Sequence, residues 1–252
     1  MDYNKLLQVA TYAGKIMLES GAEIYRVEET ISRICYAYNV SQADCFVTPT
    51  GILVSIIYDN NTLSIVKRVT NRGVDLNKID KINDISRTLE KQICDLDELN
   101  LELKKIDKTK RYSDKTTLIS AVIISLSFTY IYGGSTTDIL SGSIIGFIIE
   151  ALLIVFSKLK TNEFFVNYIS AAFGTLAAVL LSYIGISQNI DKTIIGPIML
   201  LVPGLAITTA IRDIIAGDLL SGITKIGEAF IIAIAVAAGS GTVLSLYLKA
   251  IA

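Results

Sequence analysis

The first forty residues carry two amphipathic patterns separated by Ser20-Gly21. In each pattern apolar residues recur three and four positions apart, which predicts a helix with one buried face. These positions are Leu6, Val9, Ala13, Ile16 and Met17 in the first helix, and Ile24, Val27, Ile31, Ile34 and Tyr38 in the second. Ser20 with Glu23 three residues later matches a capping box, so the start of the second helix has a local explanation.

The polar face of the second helix carries Arg26, Glu29 and Arg33, three and four positions apart. That spacing predicts ion pairs on a solvated surface. After Asn39 the pattern changes to short runs rich in β-branched residues, bounded by turn residues. We expect three strands, of which the second and third form an antiparallel hairpin: 44–48, 52–58 and 63–69.

Helical spacing returns between Leu76 and Ile106. Asp95 with Glu98 can start a second helix in this stretch, so the pattern predicts either two consecutive helices or one long bent helix. Residues 1–115 are therefore expected to form a small α+β domain with a core of its own.

Five apolar segments follow, each close to the ~20 residues that a helix needs to cross a bilayer. They cover about 116–132, 138–157, 164–186, 193–211 and 226–248. The sequence thus predicts an α-helical integral membrane protein with five transmembrane helices (residues 116–252) joined to the α+β domain (residues 1–115).

Charge supports this division of the chain. Residues 1–115 hold 17 basic and 17 acidic side chains, whereas residues 116–252 hold 6 and 7. If the first domain is cytoplasmic, the cytoplasmic flanks of the five segments hold ten basic residues and the opposite flanks hold two, Lys192 and Lys249. The positive-inside rule then places the N-terminal domain in the cytoplasm and the C-terminus outside. Balanced charges in the first domain argue against a nucleic-acid partner.

The residue inventory excludes several chemistries. The chain has no histidine, so the usual zinc sites and His-dependent nucleophilic catalysis are not available. It also lacks a GxxxxGK[ST] loop, which argues against ATP binding of the P-loop kind. Cys35, Cys45 and Cys94 are odd in number and widely spaced, as expected for reduced thiols. We predict no catalytic residues, no metal and no cofactor.

The fourth apolar segment contains Pro197 and Pro203. A proline removes a backbone donor and crowds the preceding turn, so a helix here should kink or open near Pro203-Gly204. Broken helices at membrane depth are common solute sites in secondary transporters. We therefore expect backbone groups at the break, with Thr208 and Thr209, to line a transport path; a kink without a ligand is the alternative.

Glu150 is the carboxylate placed well inside an apolar segment. A charge at that depth is costly, so Glu150 should face the bundle interior and either titrate or pair with a neighbour. Interfacial anchoring is expected for the ionisable residues near segment ends: Asp138, Glu163, Asp191, Arg212, Asp213, Asp218 and Glu228. Small residues every fourth position predict helix packing through Ser170, Gly174, Ala178 and Ser182 in the third segment and Ala233, Ala237 and Gly241 in the fifth.

Four stretches together resemble the large-subunit, YjjP-like form of the threonine/serine exporter (ThrE) family. They are SGAEIYRVEETISRI (20–34), PTGILVS (49–55), NRG (71–73) and VPGLAITTAIRDIIAGDLLSG (202–222). The resemblance implies a cytoplasmic domain followed by five spans in the inner membrane, and a smaller YjjB-like membrane subunit as partner. It also implies export of threonine and serine, or of succinate by a split pair.

Motif positions carried over from the resemblance are site candidates. They are Gly21, Glu23, Arg26 and Glu28 in the second helix, Pro49, Thr50 and Gly51 in the turn, and Pro203, Gly204, Asp213, Gly217, Asp218 and Gly222 around the fourth segment. Of these, Asp213 and Asp218 join Glu150, Pro203, Gly204, Thr208 and Thr209 as candidates for the transport path or the substrate site. The expected function is a subunit of a secondary exporter for a small polar organic solute, driven by an ion gradient. A higher oligomer stays open.

Two other classes stay in view. One is a scaffold or sensor that reads a cytosolic ligand through residues 1–115 without transporting it. The other is a membrane-embedded hydrolase, which would need a nucleophile with a base or two opposed aspartates. Asp213 and Asp218 lie on one segment, which argues against the hydrolase.

Overall fold

A computed structural model describes residues 1–59, 61–71, 73–109, 112–159 and 161–251. The chain divides into two compact units. The first unit comprises Met1–Arg111 and Leu205–Ile226, and the second comprises Tyr112–Gly204 and Gly227–Ala252. Which side of a membrane each part occupies, and the predicted domain boundary at residue 115, stay predictions.

The first unit begins with the two predicted amphipathic helices, α1 (Tyr3–Glu19) and α2 (Ile24–Ala37). Their apolar faces form the centre of its core, as the periodicity predicted. Gly14 lets the two helices approach closely, because a β-carbon there would lie 2.7 Å from Ile31 Cγ1. The predicted ion pair on the polar face of α2 is present between Arg33 and Glu29.

Three antiparallel strands follow in the order β1-β2-β3: β1 (Gln42–Thr48), β2 (Gly51–Tyr58) and β3 (Asn61–Arg68). The hairpin prediction is confirmed, since β2 and β3 pair with Ile56 opposite Leu63. Alternate residues of β1 and β2 point into the core, among them Val47, Ile52 and Val54. Period-two burial of this kind is what the sequence pattern requires of a half-buried sheet.

Two separate helices complete the N-terminal part of this unit, α3 (Leu76–Leu89) and α4 (Leu96–Asp107). Asp95 is the N-cap of α4, because its side chain accepts from the Asp97 N–H. The sequence had left open one bent helix or two, and the structure has two. Tyr12 of α1 donates to Asp107 at 2.7 Å, which ties the end of α4 to the core helix.

After α4, the regular elements in the described part of the chain are six helices. The helices are α5 (Asp114–Ile131), α6 (Thr136–Leu159), α7 (Glu163–Tyr183), α8 (Ile190–Ile198), α9 (Gly204–Ala216) and α10 (Leu219–Ile251). Residues 205–216 of α9 and the first eight residues of α10 belong to the first unit. The other residues of α5–α10 belong to the second unit. The core of that unit includes Ile145, Ile149, Ala171, Ala178 and Val236.

Within the described residues, three helices are long and apolar enough to cross a membrane: Thr136–Leu159, Glu163–Tyr183 and Leu219–Ala250. They correspond to the second, third and fifth predicted segments. The first segment forms the 18-residue α5, which does not meet the same criterion. The predicted fold class is thus confirmed in part, as a mainly helical chain with three candidate spans and a small sheet, and the five-span topology stays a prediction.

The fourth segment is broken, as its prolines predicted. Helix α8 has 9 residues and α9 has 13, with a non-helical stretch from 199 to 203 between them. At 1.5 Å per residue, neither helix alone covers the ~30 Å of a bilayer core. Helix α9 begins at Gly204, directly after Pro203.

The two predicted stripes of small residues behave differently. Ser170, Gly174 and Ala178 of α7 are buried, and a β-carbon on Gly174 would lie 2.8 Å from Ile149 Cδ1. On α10, Ala233, Ala237 and Gly241 are exposed in this chain, so packing through that stripe stays a prediction. The buried face of α10 is offset along the helix and includes Ala235, Val236 and Gly239, the last packed against the Tyr168 backbone.

Candidate functional site: a junction of motif residues

The motif positions of α2 and of the α9–α10 region come together inside the first unit. We call this cluster the α2–α9 junction and define it as Glu23, Ile24, Arg212, Asp213 and Lys225. Glu23 is the N-cap residue of α2, yet its side chain makes no capping hydrogen bond. The Asp213 carboxylate instead accepts from the Ile24 backbone N–H at 3.0 Å. A negative group at a helix N-terminus satisfies an orphan N–H and interacts favourably with the helix dipole.

The predicted capping box at Ser20 and Glu23 is therefore wrong. Ser20 is the C-cap of α1, and Gly21 follows with a φ of +86°. A left-handed glycine is the usual way to end a helix, because other residues are strained there. A β-carbon on Gly21 would also lie 2.8 Å from the Gly73 carbonyl oxygen. Gly21 therefore has a structural role that brings Glu23 to the start of α2.

Asp213 and Lys225 form a buried ion pair. Their side chains are 0% and 13% exposed, and Lys225 Nζ lies 2.7 Å from Asp213 Oδ2. Lys225 Nζ also lies 3.4 Å from the carbonyl oxygen of Ala22. The expectation that Asp213 anchors at a wet interface is wrong, because this carboxylate is fully enclosed. Removing either partner would leave the other charge uncompensated in a buried position.

Glu23 forms the second ion pair of the junction. Its carboxylate lies 2.7 Å from Arg212 Nη1 and 3.4 Å from Arg26 Nε. Burial acts to raise the pKa of Glu23, but the hydrogen bond from Arg212 and the charge of Arg26 outweigh it. The pKa of Glu23 is consequently held below its usual value.

Glu28 and Asp218 differ from Glu23 in their electrostatics. Glu28 accepts from the Val47 backbone N–H at 2.8 Å, which ties α2 to the end of β1. Burial raises the pKa of Glu28, and the negative charge of Asp218 adds to the effect. The pKa of Asp218 is raised as well, by burial and by the charge of Asp213. The pKa of Glu23, inside the junction, is therefore lowered, whereas the pKa values of Glu28 and Asp218, next to the junction, are raised.

The turn residues Pro49, Thr50 and Gly51 come just after Val47, whose backbone N–H donates to Glu28. The Thr50 carbonyl accepts from the Val69 N–H at 2.9 Å, and Thr48 Oγ1 donates to the Gly51 carbonyl at 3.3 Å. Pro49 is buried. These contacts give the turn a structural role in joining β1 to β2.

The connection between α9 and α10 is built around two glycines. Gly217 has a φ of +100°, and the Asp218 N–H returns to the Asp213 carbonyl at 2.8 Å. This is the bond pattern of a helix that ends in a left-handed glycine. Gly222 faces α9 closely, since a β-carbon there would lie 2.8 Å from the Ala210 carbonyl oxygen. Both glycines therefore support the reversal that places Lys225 against Asp213.

The remaining transport-path candidates lie at the helix break, along α9 and on α6. Thr208 and Thr209 are on α9, where their hydroxyls donate to the carbonyls of Leu205 at 3.0 Å and Ala206 at 3.3 Å. Pro203 and Gly204 lie at the helix break. Glu150 is half-buried in the middle of α6. Among the described residues, none forms a hydrogen bond or ion pair with the Glu150 side chain.

Asp138 is a carboxylate whose environment the sequence did not predict. It is fully buried in the first turn of α6 and accepts six hydrogen bonds. The donors come from Ser135, Ser187, Gln188 and Asn189. The prediction of an interfacial anchor is therefore wrong for Asp138, which instead fixes the loop before α8. Its position near an apolar segment end carried no sign of these partners.

Lys225 is the junction residue that the sequence analysis did not select. It lies twelve residues after Asp213, across the Gly217 turn. Because the chain reverses at this turn, Lys225 of α10 comes to lie beside Asp213 of α9. The spacing of the two residues around Gly217 could therefore have indicated the ion pair. In this arrangement Asp213 is bound by Lys225 and the Ile24 N–H.

Comparison with known proteins identifies the family. Residues 8–247 match the model of the family described as "Putative threonine/serine exporter" (ThrE). The chain belongs to this family. The resemblance proposed from the motifs is thereby confirmed, and the family is one of transporters. Together with the apolar helices, this membership supports a multi-pass membrane protein.

The curated relatives are distant. A "Probable threonine/serine exporter" of Mycobacterium tuberculosis is 20% identical over 93% of this chain, which spans 45% of that protein's length. Two proteins named "Probable succinate transporter subunit YjjP" match as well. The one from Klebsiella aerogenes is 21% identical over 92% of this chain and 89% of its own length, and the one from Escherichia coli is 20% identical over 93% and 91%. No solved structure matches significantly.

Proposed function

We propose that this chain is one subunit of a secondary transporter that exports a small polar organic solute. The solute is an amino acid of the threonine/serine type or a dicarboxylate such as succinate, in keeping with what the relatives' names say of those proteins. The observation that carries the proposal is the family match over residues 8–247. An ion gradient supplies the energy, since the sequence contains no P-loop.

The helix break between α8 and α9 supports a solute path at this segment. Interrupted backbone at membrane depth is tolerated where protein, water or a solute satisfies the freed groups. Half-helix ends of this kind bind solutes and ions in secondary transporters. In our proposal the solute meets the chain at Pro203 and Gly204, with Thr208 and Thr209 along the first turns of α9.

Glu150 is the proposed coupling group. It lies near the middle of a candidate span and has no hydrogen-bonding or ionic partner among the described residues. Intramembrane carboxylates of this kind commonly act in proton relays. The alternative is that Glu150 only packs against a cation or hydroxyl of another helix. A substitution that cannot titrate distinguishes the coupling role from the packing role.

The partner in this proposal is a smaller YjjB-like membrane subunit in the inner membrane. The relatives named YjjP are described as subunits, which supports a two-component assembly. In the proposed topology the N-terminal part is cytoplasmic and the C-terminus is outside, because basic residues are concentrated on one set of flanks.

Metabolite profiling tests the physiological side of the proposal. A strain that lacks the gene is compared with one that overexpresses it together with its neighbour. We expect the exported solute to accumulate inside the first strain and outside the second. Identical intracellular and extracellular levels in both strains would contradict export and favour the scaffold or sensor alternative.

A further inference from the structure

A polar cavity of about 170 Å³ lies between α2 and α3 in the first unit. Its lining includes three arginines, Arg26 and Arg33 from α2 and Arg87 from α3. Glu29 is the acidic residue among the lining side chains, and Glu23 and Glu90 contact Arg26 and Arg33 from outside the lining. The volume is below the range of about 300–1,000 Å³ that drug-sized ligands need, so a bound molecule would be small.

The two helices present matching polar stripes to this cavity. Positions 26, 29, 30 and 33 of α2 follow helical spacing along one face, and positions 83, 86 and 87 of α3 face them. Thr30 Oγ1 lies 3.4 Å from Asn83 Oδ1 across the groove. Because the Asn83 oxygen accepts in that contact, its amide nitrogen is available as a further donor.

The arginines retain donor capacity in spite of their present partners. Arg26 Nε contacts Glu23 and the Tyr25 hydroxyl, and Arg33 contacts Glu29 and Glu90. Each guanidinium has five N–H donors, so several on each side chain are uncommitted. Arg87 forms no ion pair or hydrogen bond with any residue that the structure describes. Three guanidinium groups around a small polar cavity match the recognition of carboxylate and phosphate oxygens.

We infer that this α2–α3 groove is a binding site for a small dianion, such as a short dicarboxylate or inorganic phosphate. The inference concerns a site separate from the proposed path at Pro203, and it stands whether or not the chain transports the same compound. Arg26 and Arg33 are seven residues apart, about 10 Å along the helix axis. Their long side chains can therefore reach the two separated carboxylates of a short dicarboxylate or the closely spaced oxygens of a phosphate.

Isothermal titration calorimetry on the purified full-length chain in detergent tests the inference. The probes are succinate and inorganic phosphate at constant ionic strength, with acetate as the monoanion and threonine as the zwitterion. We expect saturable binding of at least one dianion and weaker binding of acetate and threonine. The stronger of the two dianions identifies whether the site takes a dicarboxylate or a phosphate group. Absence of binding by both would overturn the inference.

Substitutions connect the binding to the groove. Arg87→Gln should weaken dianion binding about tenfold, because a charge-assisted contact is lost. Arg33→Gln, from the facing helix, should weaken it similarly and gives an independent measurement. The matched control is Lys91→Gln, which removes one exposed positive charge just beyond α3 and outside the cavity. Equal binding in Arg87→Gln, Arg33→Gln and wild type, or an equal loss in Lys91→Gln, would overturn the assignment.

Discussion

The Asp213 carboxylate accepts a hydrogen bond of 3.0 Å from the backbone N–H of Ile24, 189 residues earlier in the chain. This contact makes a residue after the fourth apolar segment part of the N-terminal unit. The neighbouring residues join the same two segments, because Arg212 pairs with Glu23 of α2. The α2–α9 junction is therefore a structural element that couples distant parts of the sequence.

Asp213→Asn should destabilise the protein by about 3–5 kcal/mol, because the buried Lys225 ammonium loses its anionic partner. Lys225→Met should have a comparable effect for the converse reason. The double variant should be less destabilised than the sum of the two single variants, as measured by unfolding in detergent. Strictly additive losses would contradict the ion pair. The control is Asp80→Asn, an exposed carboxylate of α3, which should change stability by less than about 0.5 kcal/mol.

Glu23 and Glu28 should contribute oppositely to the pH dependence of stability. The pKa of Glu23 is below its usual value of 4.5, so its stabilising effect is present above pH 4.5 and is lost as pH falls through the lower folded-state pKa. The pKa of Glu28 is raised, so its favourable contribution is present below pH 4.5 and is lost as pH rises through the folded-state pKa.

The corresponding glutamine variants measure this difference. Glu23→Gln should lower the unfolding temperature at pH 7 and reduce the loss of stability on acidification. Glu28→Gln keeps an oxygen that can accept from the Val47 N–H, and it should lower the unfolding temperature less at pH 7 than Glu23→Gln does. Parallel pH profiles for the two variants would contradict the assigned electrostatics.

Gly222 and Gly227 provide a matched test of the α9–α10 reversal. Gly222→Ala should cost about 1–3 kcal/mol, because the new methyl group would meet Ile214 and the Ala210 carbonyl. Gly227→Ala lies on the same helix with nothing within 4 Å, so it should be neutral or stabilise by up to about 1 kcal/mol through helix propensity. Thermal unfolding of both variants checks the pair, and similar effects would argue against close packing at Gly222.

Local patterns predicted much of the fold. Apolar spacing predicted α1, α2 and the strands because each of these elements has one buried face, and Pro203-Gly204 correctly predicted a helix break. Asp95 correctly predicted the start of α4, because an N-cap residue binds the first turn of its own helix and is therefore a local feature.

Contacts between distant residues were not predictable in this way. The capping box at Ser20 and Glu23 was a reasonable local interpretation, but Asp213 caps α2 from another part of the chain. Asp138 resembled an interfacial anchor because most of its donors, on Ser187, Gln188 and Asn189, lie about fifty residues further along the chain. Hydrogen bonds between residues that are distant in the chain depend on tertiary placement, which spacing along the sequence does not specify.

Glu150→Gln separates proton coupling from packing in the α6 span. Glutamine keeps the shape and much of the hydrogen-bonding capacity but does not titrate. A coupling role predicts a folded, inserted protein whose driven transport no longer responds to a pH gradient. The control is Glu163→Gln, an exposed carboxylate at the start of α7, which should leave that response intact. Retained pH-dependent transport in a stable Glu150→Gln protein would rule out the coupling assignment.

Solute flux in proteoliposomes tests the proposed export function most directly. Vesicles contain this chain alone, the smaller subunit alone, or both, and the movement of labelled threonine, serine or succinate is followed under an imposed proton gradient. The proposal predicts gradient-driven flux of at least one of these solutes when both subunits are present, and little flux with either alone. No flux above that of empty vesicles in the combined preparation, with both subunits folded and inserted, would contradict it.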